Sequence, residues 1–525
     1  MAGGAGNPCV ILARDPIPTF LPTPIVIPKS LAELKALIQH TLRQRRVRLG
    51  LAAAAMLFGL WWLWPLFGLL DKGAQVGALV RLAPAVLGLT GPKTFLVLVQ
   101  NDDELRPTGG YLTAAGTMTV SLGRVSGLDL EDTSTIQEPN LVYPPPPDPI
   151  ARYLDVPAWY FRDANWSPDF PTTAQTAATL YTLANPRTFD GVIALDQAAL
   201  RILLEATGPV RLSGLPGTIT AENVQASMRA ARDPAPGAGV SYDWWLQRKD
   251  FIPKMAKAIF RQLVWTRVGS LLQAAIRVLD ERHVTLWLRD AGAAAVLADH
   301  GWDGALRPGD ADYVMLVEAN LGYNKVNAVT HTQLRYQVNL AAEAPTGRLS
   351  VTQTNPAQGS LPCVPGPDYG TGTYLDLITR CYWNYLRVYV PLGATLISAT
   401  PHATPGAWLL TGQDEAGAVT ITAGERGTQA FGTLLVVPFN TTLFTTFEFT
   451  LAPGVVRADG DEWVYRLRFQ KQAGTLAVPL VLEVQLPLGA QVVSGPLGGV
   501  MADGVWTYGV WLRQDVDVEV RYRLK

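Results

Sequence analysis

The stretch FLVLVQNDDELRPTGGYLTAAGTMT, Phe95 to Thr119, decides how the rest of this chain is read. Five consecutive apolar residues, Phe95 to Val99, have the length of a buried strand. Asn101, Asp102, Asp103, Glu104 and Arg106 follow at once, then Pro107, the pair Gly109–Gly110 and a second β-patterned run from Tyr111 to Val120. A buried strand that sets carboxylates, an amide and a guanidinium on one turn is a common way to build a site. A plain hairpin turn with solvated charges is the competing reading, because Pro and Gly-Gly are ordinary turn formers.

Toward the amino terminus the pattern changes twice. Residues 1–30 are rich in Pro and Gly without helical periodicity, which predicts a disordered tail. Ser30 and Glu33 form a capping-box pair, and leucines at helical spacing then lead to Arg43, Arg45, Arg46 and Arg48, so 31–48 is expected to be a basic amphipathic helix. The uncharged run 49–70, with Trp61, Trp62 and Trp64 toward its far end, is long enough to cross a bilayer. The arginines before it place the amino terminus in the cytoplasm by the positive-inside rule. The expectation is a single-pass signal anchor in the plasma membrane, with everything from about residue 73 extracytoplasmic. Gly73 to Gly91 is broken by Arg81 and Pro84, and reads as a helix packed on the domain.

Composition narrows the function. The chain has 525 residues with 43 Lys and Arg against 44 Asp and Glu. This near balance argues against nucleic-acid binding, which needs a basic footprint. The five histidines are scattered and the three cysteines form no C-x-x-C pair, so neither a zinc hydrolase nor a thioredoxin-like site is expected. No G-x-S-x-G elbow is present.

From 73 to 329 strands and helices alternate, which predicts an α/β layered domain. Within it, WYFRDANWSPDF interleaves aromatics with Arg162, Asp163 and Asp169, either as a ligand wall or as the pin of a long loop. Arg229 and Arg232 fall on one helix face, and Arg248 begins a further basic helix. Beyond residue 330, short alternating strands predict β-sandwiches of immunoglobulin-like type. RVYVPLGATLIS (Arg387–Ser398) and EVQLPLGAQVVS (Glu483–Ser494) repeat one another, suggesting modules at 330–453 and 454–525, with one large sandwich as the alternative. Cys363 and Cys381 flank a Gly/Pro-rich loop, where an oxidising compartment permits a disulfide.

Four separated motifs carry a family likeness. NDDELRPTGGY (Asn101–Tyr111), FRDANWSPDFP (Phe161–Pro171), DGVIALD (Asp190–Asp196) and ANLGYNK (Ala319–Lys325) resemble the bacterial family catalogued as domain of unknown function 4012. More distantly, the chain resembles the LytR-CpsA-Psr envelope phosphotransferases, which move polyprenyl-pyrophosphate-linked glycopolymers to the cell wall. That resemblance implies that Arg106, Arg229, Arg232 and Arg248 grip phosphate oxygens, since guanidinium forks do this bidentately. It further implies that Asp102, Glu104 or Asp132 holds Mg²⁺. Asn101, Arg162, Asp163, Asp169, Asn320 and Lys325 are expected to line the same cleft. The turn matching that family's second motif reads Leu130-Glu131-Asp132-Thr133 and contains no arginine. Two functions follow as expectations: transfer or binding of a lipid-linked glycopolymer in the cell envelope, and non-catalytic binding of polysaccharide or protein partners.

Overall fold

The computed structural model describes Lys35 and residues 69–524, apart from 139, 213–216, 236, 264, 360–362, 368 and 369. The expected tail, the basic helix apart from Lys35, and all but the last two residues of the expected membrane span lie outside the described residues. Among the described residues, no helix is long and apolar enough to cross a membrane.

The opening stretch forms two strands at the heart of a five-stranded mixed sheet. Its strands are β1 (Lys93–Asn101), β2 (Tyr111–Ser121), β3 (Arg124–Asp132), β4 (Gly191–Leu195) and β5 (Val284–Leu288), in the order β3-β2-β1-β4-β5. β1 and β4 run parallel at the centre, and the other pairs are antiparallel. The helices of this region are α1 (Gly73–Val86), α2 (Asp148–Leu154), α3 (Phe170–Ala184), α4 (Gln197–Thr207), α5 (Val224–Arg232), α6 (Tyr242–Gln247), α7 (Phe251–Leu263), α8 (Val268–Asp280) and α9 (Ala291–Asp299).

β1 reads as an unbroken apolar run because both faces of the sheet are covered. Phe95, Val97 and Val99 pack with α1, α4, α7, α8 and α9 on one side. Leu96 and Leu98 pack with α3 on the other. α1 is therefore the packed helix expected after the anchor, with Ala78 and Leu82 in the core. Asp196 ends the β4 connection and caps α4 by accepting from Ala199 N. The carboxyl ends of the two central parallel strands thus deliver Asn101 and Asp196 to one edge, where open α/β sheets place their ligands.

The carboxy-terminal region holds β6 (Asp312–Asn320), β7 (His331–Asn339), β8 (Thr346–Asn355), α10 (Tyr374–Ile378), β9 (Tyr382–Pro391), β10 (Thr395–Ala399), β11 (Thr420–Ala423), β12 (Thr428–Val437) and β13 (Thr441–Thr450). It continues with β14 (Val456–Asp459), β15 (Glu462–Gln470), β16 (Val478–Gln485), β17 (Gln491–Ser494), β18 (Val500–Ala502), β19 (Val505–Leu512) and β20 (Val516–Arg523). The seven strands β7–β13 repeat as β14–β20. The first strand pairs with the second, the second with the seventh and the seventh with the fourth, while the sixth lies between the third and fifth. The sequence repeat marks the equivalent strands β9 and β16. In the immunoglobulin arrangement the second strand pairs with the fifth, so the expected immunoglobulin-like topology is corrected.

The two repeats are also not side by side. β7 pairs with β16, and β6 bridges β9 to β15, fusing the repeats into a seven-stranded and an eight-stranded sheet around one core. β6, expected in the α/β layer, belongs to this second region. Its nine residues are all buried, and such a run cannot be assigned to one sheet or another by periodicity alone.

Both regions lie in one compact unit, Pro65–Lys525. They meet at the turn after β1. Asn320 N donates to Leu105 O and Gln472 Nε2 to Arg106 O. Thr108 forms a bridge with Ala473, and Gly474 has φ +80°. A Cβ on Gly474 would sit 2.0 Å from the Gly109 carbonyl oxygen. Backbone meets backbone there, and nothing flexible can yield. Gly474→Ala is therefore expected to lower the unfolding free energy by about 3 kcal/mol, read by denaturant melts. A loss below ~0.5 kcal/mol would contradict this close approach.

Candidate functional site

The turn Asn101–Gly110 is rigid because every part of it is tied down. Gly110 packs against the Asn101 backbone with no room for a side chain, and Gln100 Nε2 donates to Thr108 O. Arg106 is buried, with its guanidinium 3.3 Å from Glu104 and 3.5 Å from Asp163, and it donates to the Asn320 carbonyl. Glu104 also pairs with Lys325.

Beside this turn lies a cavity of about 320 Å³ whose wall carries seven cations: Arg106, Arg162, Arg229, Arg232, Arg248, Lys249 and Lys325. α5 supplies Arg229 and Arg232, and the α6–α7 connection supplies Arg248 and Lys249. The four arginines expected to grip phosphate thus converge on one cavity. Asn101, Glu104, Arg162, Asp163 and Lys325 line it as well.

Each cation is held by a partner. Arg229 makes a two-pronged contact with Asp103 at 2.8 and 3.0 Å. Arg232 donates to Gly372 O and lies against the rings of Trp244 and Tyr374. Arg248 stacks on Trp245, 3.5 Å from its ring centroid, and pairs with Asp132. Lys249 donates to Asp132 and to Thr113 O. Both cations thus meet at Asp132, at the end of β3. Tyr111 is the common neighbour: Arg106, Lys249 and Lys325 all lie within 6 Å of its ring centroid, at 5.9, 5.8 and 4.9 Å, a favourable cation–π arrangement.

Proton affinities follow from this crowding. Burial pushes Lys249 down to about 8, with Arg248 and Lys325 adding to the effect against the pull of Asp132. Burial likewise lowers Lys325 against the pull of Glu104. Burial opposes ionisation of Asp132, yet Lys249 and Arg248 hold its carboxyl below the usual range. Asp163 is raised by burial despite Arg106 and Arg162. Asp102 is raised well above the carboxylate range by burial and then by Asp196 and Asp103, and its Oδ1 is buried without a hydrogen-bond partner.

The donor set does not fit the expected Mg²⁺. Glu104 and Asp132 are consumed by Lys325 and Arg106 and by Lys249 and Arg248, while Asp102 is held toward its neutral form. No group of three or more His, Cys, Asp or Glu side chains placed for a metal occurs among the described residues. Two further expectations are corrected. Asp169 caps α3 through Thr172 and binds Leu306 N and Arg426, away from the cavity. Asn320 turns its side chain to Asn324 and Asn327 and offers the site only its carbonyl, to Arg106. The aromatics beside Arg162 pin the loop: Phe161 packs on Tyr181, and Trp166 on Tyr385. Cys363 and Cys381 are joined in a disulfide.

Sequence reasoning missed Lys249, Tyr111 and Tyr374. Lys249 was legible as the neighbour of Arg248, and Tyr111 as the end of the first motif. Tyr374 carried no local signal, since it comes from the β region.

Residues 90–231, which run from β1 through α5 except for its last residue, Arg232, match the model of the family described as Protein of unknown function (DUF4012). No curated protein matches the chain. Among solved structures, a Legionella pneumophila protein described as nutrient binding is 8% identical, covering 40% of this chain and 71% of that one at a TM-score of 0.26. The M1 zinc metallopeptidase of Deinococcus radiodurans is 13% identical with a TM-score of 0.20; 37% of this chain is covered, and less than half, 42%, of that one. A Listeria innocua protein is 14% identical, with 40% and 79% covered and a TM-score of 0.23.

The cavity's charge should depend on pH. Lys249, with its value near 8, is charged below that pH and becomes neutral above it. An anion bound in the cavity would favour the charged form, so the affinity of sulfate, whose own charge is constant over this range, should fall as pH rises from about 7 to about 9.5, and its binding near pH 8.5 should take up a proton. Calorimetry in buffers of different ionisation enthalpy reads both effects. Affinity that stays flat, with no proton uptake, would remove Lys249 from the site.

Proposed function

We propose that this cavity binds the phosphate or pyrophosphate head of a lipid-linked glycopolymer of the cell envelope. One observation carries the reading. The cationic cavity shares Val99, Leu200, Met228, Phe251 and Ile252 with an apolar cavity of about 230 Å³. That second cavity runs between the sheet and α7, past Val97, Met118, Leu128 and Phe260. A cation-lined chamber that shares a wall with an apolar one suits an amphiphile with an anionic head and a hydrocarbon tail. The head meets several guanidinium donors, each charge-assisted bond contributing about 1.5–3 kcal/mol. The tail gains about 0.8 kcal/mol per buried CH₂.

In this reading the uncharged run 49–70 anchors the chain in the plasma membrane, and the region from 73 onward is extracytoplasmic, where such lipids carry their glycans. The carboxylates around the cavity are engaged in ion pairs, which favours holding the ligand over transferring it. The β region then serves as the non-catalytic interaction part of the envelope protein.

Binding of pyrophosphate and of farnesyl diphosphate to the full chain in detergent tests this. Farnesyl diphosphate should bind at least about tenfold more tightly, the equivalent of two buried CH₂ groups. Leu200→Trp, in the wall the two cavities share, should remove that increment and leave pyrophosphate binding in place. Arg229→Ala should weaken both ligands by about tenfold or more. Equal affinity for the two ligands would refute the lipid, and no binding of either would refute the phosphate.

A further inference from the structure

One wall of the cationic cavity does not come from the α/β region. Tyr374 and Leu377, on α10 between β8 and β9, line it. Tyr374 Oη donates to Asp103 at 2.6 Å and accepts from Asn101 Nδ2 at 3.2 Å. Its ring lies beside both helical arginines, with the Arg229 and Arg232 guanidinium carbons 5.5 and 5.7 Å from its centroid. Its backbone N donates to Asp233 at 2.6 Å, just past the end of α5. Gly372 O accepts from Arg232, and Leu377 O accepts from Lys325 N. The short segment Gly372–Leu377 is therefore bound to the first-motif turn, to α5 and to the loop that carries Lys325.

α10 is only five residues long, too short to hold its shape unaided. What fixes its end is Cys381. This residue is buried at the start of β9, in a cluster with Trp383, Leu434 and Val436, and is bonded to Cys363. The disulfide ties Cys363, on the amino-terminal side of Tyr374, to Cys381 immediately before β9, with Sγ–Sγ bonding closing a loop that contains α10. Constraining its ends reduces the number of ways the segment can leave the cavity.

We propose that the Cys363–Cys381 disulfide clamps Tyr374 and Leu377 over the cationic cavity, so that ligand retention depends on its being oxidised. Tyr374 acts as a positioning residue. It holds Asp103 and flanks Arg229 and Arg232, setting the direction in which those guanidinium groups face. The inference rests on the phosphate-lipid reading for its ligand, and on the described contacts alone for its mechanics.

The test uses the full chain in detergent, with farnesyl diphosphate as the probe. Dissociation rates are measured for the oxidised protein and for the double variant Cys363→Ser/Cys381→Ser, with amide hydrogen exchange on both. Loss of the disulfide should speed dissociation by about tenfold, leave association within about twofold and accelerate exchange at Gly372–Thr379, without changing β1 or β4. A dissociation rate within twofold of the oxidised protein overturns the clamp. If the double variant loses protection in β1 and β4, the decision passes to Tyr374→Phe and Tyr374→Ala with the disulfide intact. The first should speed dissociation about threefold and the second about tenfold; no change in either overturns the proposal. If the oxidised protein does not bind the probe, the phosphate-lipid reading fails instead, while the exchange difference at Gly372–Thr379 still decides whether the disulfide holds this wall.

Discussion

The buried guanidinium of Arg106 is the contact on which the arrangement depends. It is 3% exposed and faces Glu104, Asp163 and the carbonyl of Asn320. Those groups belong to the turn after β1, to the loop before α3 and to the end of β6, so one side chain joins three separate parts of the chain. A buried charge is tolerated only when it is paired and hydrogen-bonded, and removing one partner typically costs about 3–5 kcal/mol. Arg106 therefore acts mainly as a brace. Arg229 and Arg232, on a helix face over the cavity, are better placed to meet a ligand, and Arg229 retains 28% side-chain exposure.

The same charge balance gives the cavity its chemistry. Seven cations line it, while Asp103, Glu104, Asp132 and Asp163 serve as their fixed counter-ions. Asp196 lines the cavity as well, and Lys249 and Lys325 are pushed toward neutrality by burial. In the proposed reading an entering polyanion adds counter-charge to these cations, and the apolar chamber beside them takes its tail.

Much of this was legible in the sequence for definite reasons. β1 showed itself as a short apolar run, and Arg106 followed it in a turn of fixed chemistry. Arg229 and Arg232 were readable by helical spacing, and Cys363 with Cys381 by their shared loop. What was hidden depended on long-range pairing. β6 is buried on both faces, and nothing in its run of residues marks it as the bridge between the two β repeats. The repeated PLGA marked equivalent strands, β9 and β16, but pairing partners are set by register across the core and not by the motif. Of the carboxylates proposed for Mg²⁺, Asp102 and Glu104 lay close together in sequence and Asp132 stood at the end of β3, yet Glu104 and Asp132 were claimed by Lys325 and Lys249 from distant segments. Asp169 looked like a cleft residue by its position near Arg162, and its capping of α3 was the local alternative. Tyr374, contributed by the β region, could be found only by folding the chain.

A crystal structure with farnesyl diphosphate bound tests the central claim most directly. The account predicts both phosphorus atoms inside the cavity, within hydrogen-bond reach of Arg229, Arg232 or Arg248, and the farnesyl chain between the sheet and α7 beside Met118 and Phe260. Diphosphate density outside the ring of cations, or a tail that leaves the apolar chamber empty, would contradict it.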